Sequence, residues 1–242
     1  MRETARPITK YNYNFLVSCC LLVACACAEK KLDYFPGDEG MRWDYSLTYI
    51  TADETRNERL IIENLPPEEL DGSEVLLKKN LQGDELVYSE RTSGLFSLGY
   101  FTRDGKQRKF VAEERLVVPR PALPGSAWQS VLRTVALENG GPRGVTIEEE
   151  VKVEALVTSI NDIVKVKAGR FRDCLRIEKK GEKRLPLGKY QYIGDTQLRV
   201  RETSWYAPGV GLVKVSRREE TDARLLKQGS YELELRSVTG IN

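Results

Sequence analysis

The chain has 242 residues, with 38 lysines and arginines against 36 aspartates and glutamates, and it contains no histidine. The absence of histidine excludes a Ser-His-Asp triad and removes the commonest zinc ligand. The near balance of the two charges leaves no basic surface that could neutralise phosphates, so nucleic acid is not an expected partner.

The first 24 residues have the pattern of an export signal. Arg2, Arg6 and Lys10 form a positively charged start, and Phe15–Ala24 is a continuous apolar run. A run this short cannot cross roughly 30 Å of hydrocarbon, which needs about 20 apolar residues, so a transmembrane anchor is not expected. The run ends in the letters LVAC at Cys25 and resembles the lipobox of bacterial lipoprotein precursors.

The lipobox resemblance implies that Cys25 receives a diacylglycerol and a fatty acyl chain such as palmitate. We therefore predict a lipoprotein signal peptide at residues 1–24, a tether at 25–35 and a single β-rich domain at 36–242. Ala26 stands where enterobacterial sorting places a retaining aspartate, which favours the outer membrane, with the domain facing the periplasm. The small residues around Cys25 also fit ordinary signal cleavage, which would release a soluble exported protein.

The other cysteines leave two alternatives open. Cys27 is a weaker lipid acceptor than Cys25, because Ala24 stands three residues before it where Cys25 has Leu22. Cys27 and Cys174 can form a disulfide in an oxidising envelope. Alternatively both stay reduced, with Cys174 packed in or beside the sheet.

Alternation of apolar and polar residues predicts strands along the whole domain. Between Trp43 and Tyr49 every second residue is apolar. Glu68–Leu70 is expected to add a single helical turn, and Pro119–Pro124 is expected to be a crossing loop, because proline does not fit a central strand. The other predicted strands are Arg56–Glu63, Glu74–Leu81, Glu85–Thr92, Leu95–Thr102, Gln107–Val118, Ser130–Glu138, Val145–Leu156, Ile163–Val166, Cys174–Lys180, Gln191–Ile193, Gln197–Tyr206, Leu212–Arg218 and Tyr231–Ser237.

Many short strands with turn signals at close spacing predict an all-β fold, either an antiparallel barrel or a sandwich. Together with the family resemblance described below, this pattern predicts an antiparallel β-barrel or half-barrel with at most one or two short helical turns. Closure into a barrel would remove the exposed strand edges that invite aggregation. Trp43 and Trp205 are expected to fill its core. The charged runs Glu148–Glu150 and Arg217–Glu220 are expected on solvated faces.

Three sequence blocks carry a further resemblance. They are Tyr34–Gly37 with Gly40–Tyr45, then Val166–Ile177, then Trp205–Lys214. In this order the blocks resemble the TapB-like family of bacterial exported proteins and lipoproteins, with Arg170 as a departure from that family's Ala-Gly-Thr-Phe. The resemblance implies a twisted antiparallel sheet that closes toward a barrel, and it implies no assigned activity.

The sequence offers few motifs for chemistry. No serine is followed three residues later by lysine, and Gly209-Val210-Gly211 lacks the third glycine of a dinucleotide fingerprint. The acids in predicted turns lack the spacing of a calcium loop. We therefore predict no cofactor, no metal site and no enzymatic activity; hydrolysis by a pair of carboxylates is the remaining enzymatic alternative.

The predicted function is that of a non-catalytic, lipid-anchored domain of the cell envelope that acts as an interaction or scaffold module. Its expected partners are the membrane, through the lipid, and an envelope protein. The alternative is a carrier whose barrel encloses an apolar ligand such as a lipid. A continuous apolar cavity open to solvent would favour the carrier, and a filled interior would favour the scaffold.

Overall fold

Buried and exposed side chains alternate along the domain, which is the pattern of extended strands with one face turned inward. The computed structural model describes residues 33–51, 54–104, 107–135, 137–139, 148–186, 195–223 and 226–240. The chain divides into two compact units, Met1–Lys31 and Leu32–Asn242, and every described residue belongs to the second.

The described ranges contain strands and turns and no helix, and therefore no helical segment long and apolar enough to cross a membrane. The strands are β1 (Arg42–Thr51), β2 (Thr55–Asn64), β3 (Glu68–Leu70), β4 (Ser73–Asn80), β5 (Glu85–Arg91), β6 (Gly94–Asp104), β7 (Gln107–Pro119), β8 (Ala127–Arg133), β9 (Glu138–Asn139), β10 (Glu150–Val166), β11 (Gly169–Pro186), β12 (Asp195–Ala207), β13 (Gly211–Thr221), β14 (Leu226–Lys227) and β15 (Gly229–Thr239).

One large antiparallel sheet contains most of these strands, in the order β7-β6-β5-β4-β2-β1-β15-β13-β12-β11-β10-β8. β3 pairs with β4 beside this path, and β9 pairs with β14. The two outermost strands approach each other, because Trp128 Nε1 on β8 donates a hydrogen bond of 3.1 Å to Leu116 O on β7. The sheet is therefore a nearly closed barrel, and the predicted all-β antiparallel fold is confirmed.

Two predicted elements differ from the structure. Glu68–Leu70 is strand β3 and not a helical turn, because Asp71 and Gly72 both have positive φ and close a tight hairpin onto β4. The expected strands Val145–Leu156 and Ile163–Val166 are joined in the single strand β10, which begins at Glu150 and whose ladder to β11 absorbs the polar residues between them through register shifts. Residues 145–147 of the first lie outside the described residues. The strand expected at Gln191–Ile193 lies outside the described residues.

The apolar side chains inside the barrel form four clusters. Trp43 is only 2% exposed and lies in the largest cluster, as predicted for a core residue. Trp205 lies at the edge of that cluster, half-buried, and its Nε1 donates to Asp162 Oδ2 at 3.1 Å. Representative members of the four clusters are Met41, Tyr45, Val213 and Leu235; Val151, Leu198 and Val200; Val157, Ile177 and Tyr206; and Val75, Leu77 and Val87.

We call the end of the barrel where β1, β11 and β13 begin the entry end, because the described chain reaches the domain there. Gly209 N, in the turn between β12 and β13, donates to Asp33 O at 2.7 Å. Tyr34 Oη donates to Asp173 O on β11 at 3.2 Å. Asn64 Nδ2, at the end of β2, donates to Pro36 O at 3.2 Å. The segment that precedes β1 is thus fixed to three different parts of this end.

Candidate functional site

Charged side chains occupy a layer inside the barrel between apolar layers. We call this set the interior charged cluster. It consists of Lys179 on β11, Glu202 on β12, Arg217 and Glu219 on β13, and Tyr231 on β15. Each follows the period-two alternation of its strand, so its side chain takes an inward position. Glu202, Arg217 and Glu219 are all buried, and Glu219 is 0% exposed. The expectation that the run Arg217–Glu220 forms a solvated face is therefore wrong for Arg217 and Glu219.

The cluster is held together by charge-assisted hydrogen bonds. Lys179 Nζ donates to Glu202 Oε1 at 2.9 Å, and Arg217 Nε donates to Glu202 Oε2 at 2.7 Å. Arg217 Nη1 also donates to Arg133 O at 2.8 Å, which connects the cluster to the end of β8. The Glu219 carboxylate accepts from Val135 N at 3.2 Å. Both cations therefore contact the Glu202 carboxylate, and Arg217 also lies 3.7 Å from Glu219.

The protonation state of Glu202 follows from these contacts. Burial alone would raise the pKa of its carboxyl, but the positive charges of Lys179 and Arg217 and their hydrogen bonds outweigh burial and lower that pKa to about 2. Burial raises the pKa of the Tyr231 hydroxyl, and the Glu202 charge raises it further. A carboxylate that stays ionised and fully paired at neutral pH cannot serve as a general acid there. The geometry therefore assigns the cluster a structural role.

A second buried charge lies near the entry end. Lys78, on β4, is 7% exposed, and its Nζ lies 4.1 Å from the ring centroid of Phe35 and 3.9 Å from that of Trp43. Burial lowers the pKa of this amine to about 7, while the Asp33 charge acts in the opposite direction. The Phe35 ring also packs against Tyr88 at 4.8 Å. Lys78 is thus enclosed by aromatic rings from the entry segment and from β1. Their faces attract the ammonium, but burial disfavours it more strongly.

Of the three cysteines predicted to carry a lipid or to form a disulfide, the structure describes Cys174. Cys25 and Cys27 lie outside the described residues, so lipidation and pairing stay predictions. Cys174 is 0% exposed in the largest apolar cluster, and burial raises the pKa of its thiol to about 11. Its Sγ lies 3.8 Å from Arg172 O. As a thiol, this group is unreactive at neutral pH, because the nucleophile is the thiolate.

A depression on the outer face of the sheet is lined by β1, β2 and β15. Two of its charged residues form an ion pair: Arg59 donates to both carboxylate oxygens of Asp44, at 2.9 and 2.8 Å. The hydrogen bond from Arg59 lowers the pKa of the Asp44 carboxyl. The lining residues are Arg42, Asp44, Arg59, Ile61, Ser237 and Thr239. Within the described ranges, no group of three or more His, Cys, Asp or Glu side chains converges in a way that could hold a metal ion.

Sequence reasoning missed both buried sets of charges. The signal for the interior charged cluster was present, because Arg217 and Glu219 continue the alternation of Val213 and Val215 on β13. Lys78 gave no comparable signal: its enclosure depends on Phe35, which is 43 residues earlier in the chain and outside the sheet.

Comparisons with known proteins yield similarity only at the level of solved structures. No family model matches the sequence, and no curated protein matches it. The chain is similar to a protein from Bacteroides fragilis described as exported, with a YmcC-like fold: the sequences are 14% identical, the TM-score is 0.47, and 86% of this chain and 99% of that chain are covered. It is also similar to a protein from Parabacteroides distasonis described as a lipoprotein, with 12% identity, a TM-score of 0.37 and the same coverage.

Proposed function

We propose that this chain is a lipid-anchored domain of the bacterial cell envelope, held by Cys25, and that its barrel acts as a non-catalytic interaction or scaffold module. The lipobox pattern supports the anchor, and the three blocks that resemble the TapB-like family support an exported protein. Ala26 after the acceptor supports an outer-membrane location, with the domain facing the periplasm.

The observation that carries the module proposal is the packing of inward side chains in the described part of the barrel. Inward side chains contact one another in four apolar clusters, and the interior charged cluster lies among them with its charges paired. A lipid carrier needs an open apolar space that buries most of its ligand. With the interior used for packing, contacts with an envelope partner fall to the outer surface.

The buried ionisable groups support a non-catalytic role. Glu202 is paired with two cations, and Lys78 is covered by two rings. Neither group has the access to solvent that a reacting group requires. Support for hydrolysis would require two carboxylates at a fixed separation in a cleft, and the Asp44 carboxylate that borders the outer depression is held by Arg59.

Lipid analysis of purified protein tests the module against the carrier. The probe is a chain that begins at residue 25 and carries Cys25→Ser, exported through an ordinary signal peptide and purified without detergent. Organic extraction and mass spectrometry should find no lipid in stoichiometric amount, while a lipid-carrying barrel processed in parallel serves as the positive control. One lipid per protein would overturn the module proposal in favour of the carrier.

A further inference from the structure

The turn between β10 and β11 forms a distinct projection at the entry end. We call residues Ile163–Asp173 the β10–β11 tip. The ladder between the two strands shifts register three times between Val157 and Val164, and Asp173 has a φ of 54°. Such bulges bend a strand pair sharply. The bend brings the tip against β15, where Ala168 N donates to Leu235 O at 3.0 Å.

The two faces of the tip have opposite character. Its inner face packs Val164 and Val166 into the largest apolar cluster, beside Trp43 and the adjoining Cys174. Its outer face carries four exposed basic residues and the side chain of Ile163, which is 53% exposed. The four basic residues are Lys165, Lys167, Arg170 and Arg172.

The outer face of the tip is electrostatically unbalanced. In the described part of the chain none of its four basic side chains forms an ion pair, and Asp173 is the acid that accompanies them. Lys165 and Arg170 are direct cross-strand partners. Like charges directly opposite each other on a sheet are destabilising. Elsewhere on the outer face, Lys180 and Arg218 have acidic neighbours within 3.8 and 2.8 Å. The four unpaired basic side chains of the tip are therefore available to bind an anionic partner outside the domain.

The proposed anchor restricts what that partner is. Asp33 is fixed to the same end of the barrel by the Gly209 hydrogen bond, and Tyr34 is bonded to Asp173 within the tip itself. Asp33 is the eighth residue after Cys25, so eight Cα–Cα steps join them. At about 3.6 Å per residue, a fully extended chain of that length spans at most roughly 29 Å. A lipid on Cys25 thus keeps the tip close to the membrane surface.

We propose that the outer face of the β10–β11 tip docks on anionic phospholipid headgroups of the membrane that holds the anchor. This inference rests on the proposed function, since the lipid brings the surface within reach. Lys165, Lys167, Arg170 and Arg172 contact the phosphates, and the Ile163 side chain lies at the interface. The acyl chains supply the affinity, and the tip fixes which end of the barrel faces the membrane. The same end also carries two acidic residues, Asp38 and Glu39. They lie on the β1–β2 side, where Asn64 Nδ2 donates to Asp38 O, and not on the tip.

Vesicle binding without the acyl chains tests the tip separately from the anchor. The protein begins at residue 25 and carries Cys25→Ser; it includes the whole described domain, whose ladders and clusters lie between residues 33 and 240. It is sedimented with vesicles of phosphatidylcholine that contain phosphatidylglycerol, and with vesicles of phosphatidylcholine alone. We expect measurable partitioning onto the anionic vesicles and none onto the neutral ones, and we expect high salt to abolish it.

Charge-matched variants then locate the binding surface. One variant replaces the four basic residues of the tip with glutamine. The control variant replaces four exposed basic residues outside the tip, so both variants have the same net charge. Each Lys or Arg near an anionic surface contributes about a fivefold increase in partitioning, so the tip variant should lose more than tenfold while the control changes little. The substitutions are K165Q, K167Q, R170Q and R172Q in the tip, and K109Q, K152Q, R201Q and R218Q in the control.

The outcomes separate the two proposals. Equal losses in both variants, or no preference of the parent protein for anionic vesicles, would overturn docking by the tip and leave lipidation at Cys25 intact. Acyl label that is absent from the parent protein, or that persists in Cys25→Ser, would instead overturn the anchor. Thermal melting checks the fold of the tip variant, which should melt no lower than the parent, because a repulsive pair has been removed. Should it fail to fold, Lys167→Gln alone still serves, with an expected loss of about fivefold.

Discussion

At the scale of single residues, the Glu202 carboxylate is the centre of the polar interior. It accepts hydrogen bonds from Lys179 at 2.9 Å and from Arg217 at 2.7 Å. Glu202→Gln leaves these buried cations without their carboxylate, and breaking a buried pair from one side costs about 3 to 5 kcal/mol. We expect a loss of that size in the free energy of unfolding, measured by urea denaturation. The exposed Glu182→Gln on β11 is the control, with a change of at most about 0.5 kcal/mol.

The same carboxylate gives the protein a defined sensitivity to acid. Its pKa is about 2 in the folded protein against an ordinary value of 4.5. A carboxyl with a lowered folded pKa stabilises the fold fully above its unfolded pKa, and this stabilisation disappears as the pH falls from about 4.5 toward 2. The melting temperature of Glu202→Gln should therefore fall less over this range than that of the parent. Parallel curves would contradict the assignment of this charge to Glu202.

Lys78 destabilises the fold when it is charged, so removing its charge should have the opposite effect on stability from removing the charge of Glu202. Its pKa falls from 10.5 to about 7 on folding, because burial disfavours the ammonium. Between these values the unfolded chain binds more protons, so its contribution to stability improves as the pH rises from about 7 to 10.5. Lys78→Met keeps the side chain's length and its contact with the rings, and it should raise the free energy of unfolding by about 1 to 2 kcal/mol at pH 6.

The gain from Lys78→Met should shrink as the pH rises from 6 to 10, because the lysine is then neutral in the folded protein and the unfolded chain also begins to lose its proton. Thermal melts at the two pH values measure it. Lys79→Met, at the neighbouring and less buried position, is the matched control and should show no such pH-dependent gain. A destabilised Lys78→Met protein at pH 6 would mean that the contacts with Phe35 and Trp43 outweigh the cost of burial.

Sequence alone predicted burial correctly for residues whose polarity matches the face of the strand they occupy, with apolar side chains facing inward and polar side chains facing solvent. Trp43 alternates with polar neighbours and is buried as predicted. Glu219 is buried against the expectation from its charge, because the Val135 N that donates to its carboxylate is 84 residues away in the chain and lies outside any local window. The environment of Lys78 could not be predicted for the same reason: Phe35 reaches it from outside the sheet.

At the scale of elements, the long β10–β11 pair depends on a close approach at Gly181. A Cβ at this position would lie 2.3 Å from Lys152 O and 2.6 Å from Val153 Cγ1 on β10. Gly181→Ala should therefore push the two strands apart and lower the free energy of unfolding by about 2 kcal/mol. Urea denaturation measures the loss. The control is Glu182→Ala, on the exposed face of the same strand. If both variants changed the free energy of unfolding by an equally small amount, β10 would be shown to move away from the added Cβ at little cost.

The sequence predicted where most strands lie, but it did not predict where they begin and end. The Asp71-Gly72 turn that makes β3 a strand is a hairpin signal, but Glu68–Leu70 is too short for its own pattern to distinguish a strand from a helical turn. β10 runs through Ser159–Asp162 because bulges let one strand of a ladder carry extra residues. No property of these four residues alone distinguishes a bulge from a loop.

At the scale of the whole molecule, the three sequence blocks that resemble the TapB-like family meet at one place. Tyr34–Tyr45 enters the barrel, Val166–Ile177 forms much of the β10–β11 tip, and Trp205–Lys214 turns around Gly209, which binds Asp33. Spacing along the chain predicted an antiparallel sheet that closes toward a barrel. It could not predict that all three blocks share the entry end, because that depends on the order of strands in the sheet.

Acyl labelling of the chain in bacterial cells tests the central claim most directly. The parent protein and Cys27→Ser should incorporate a labelled fatty acid, and Cys25→Ser should not, because Cys25 is the proposed site of the thioether-linked lipid. Label that persists in Cys25→Ser, or that is lost in Cys27→Ser, would contradict the account of this barrel as a domain anchored through Cys25.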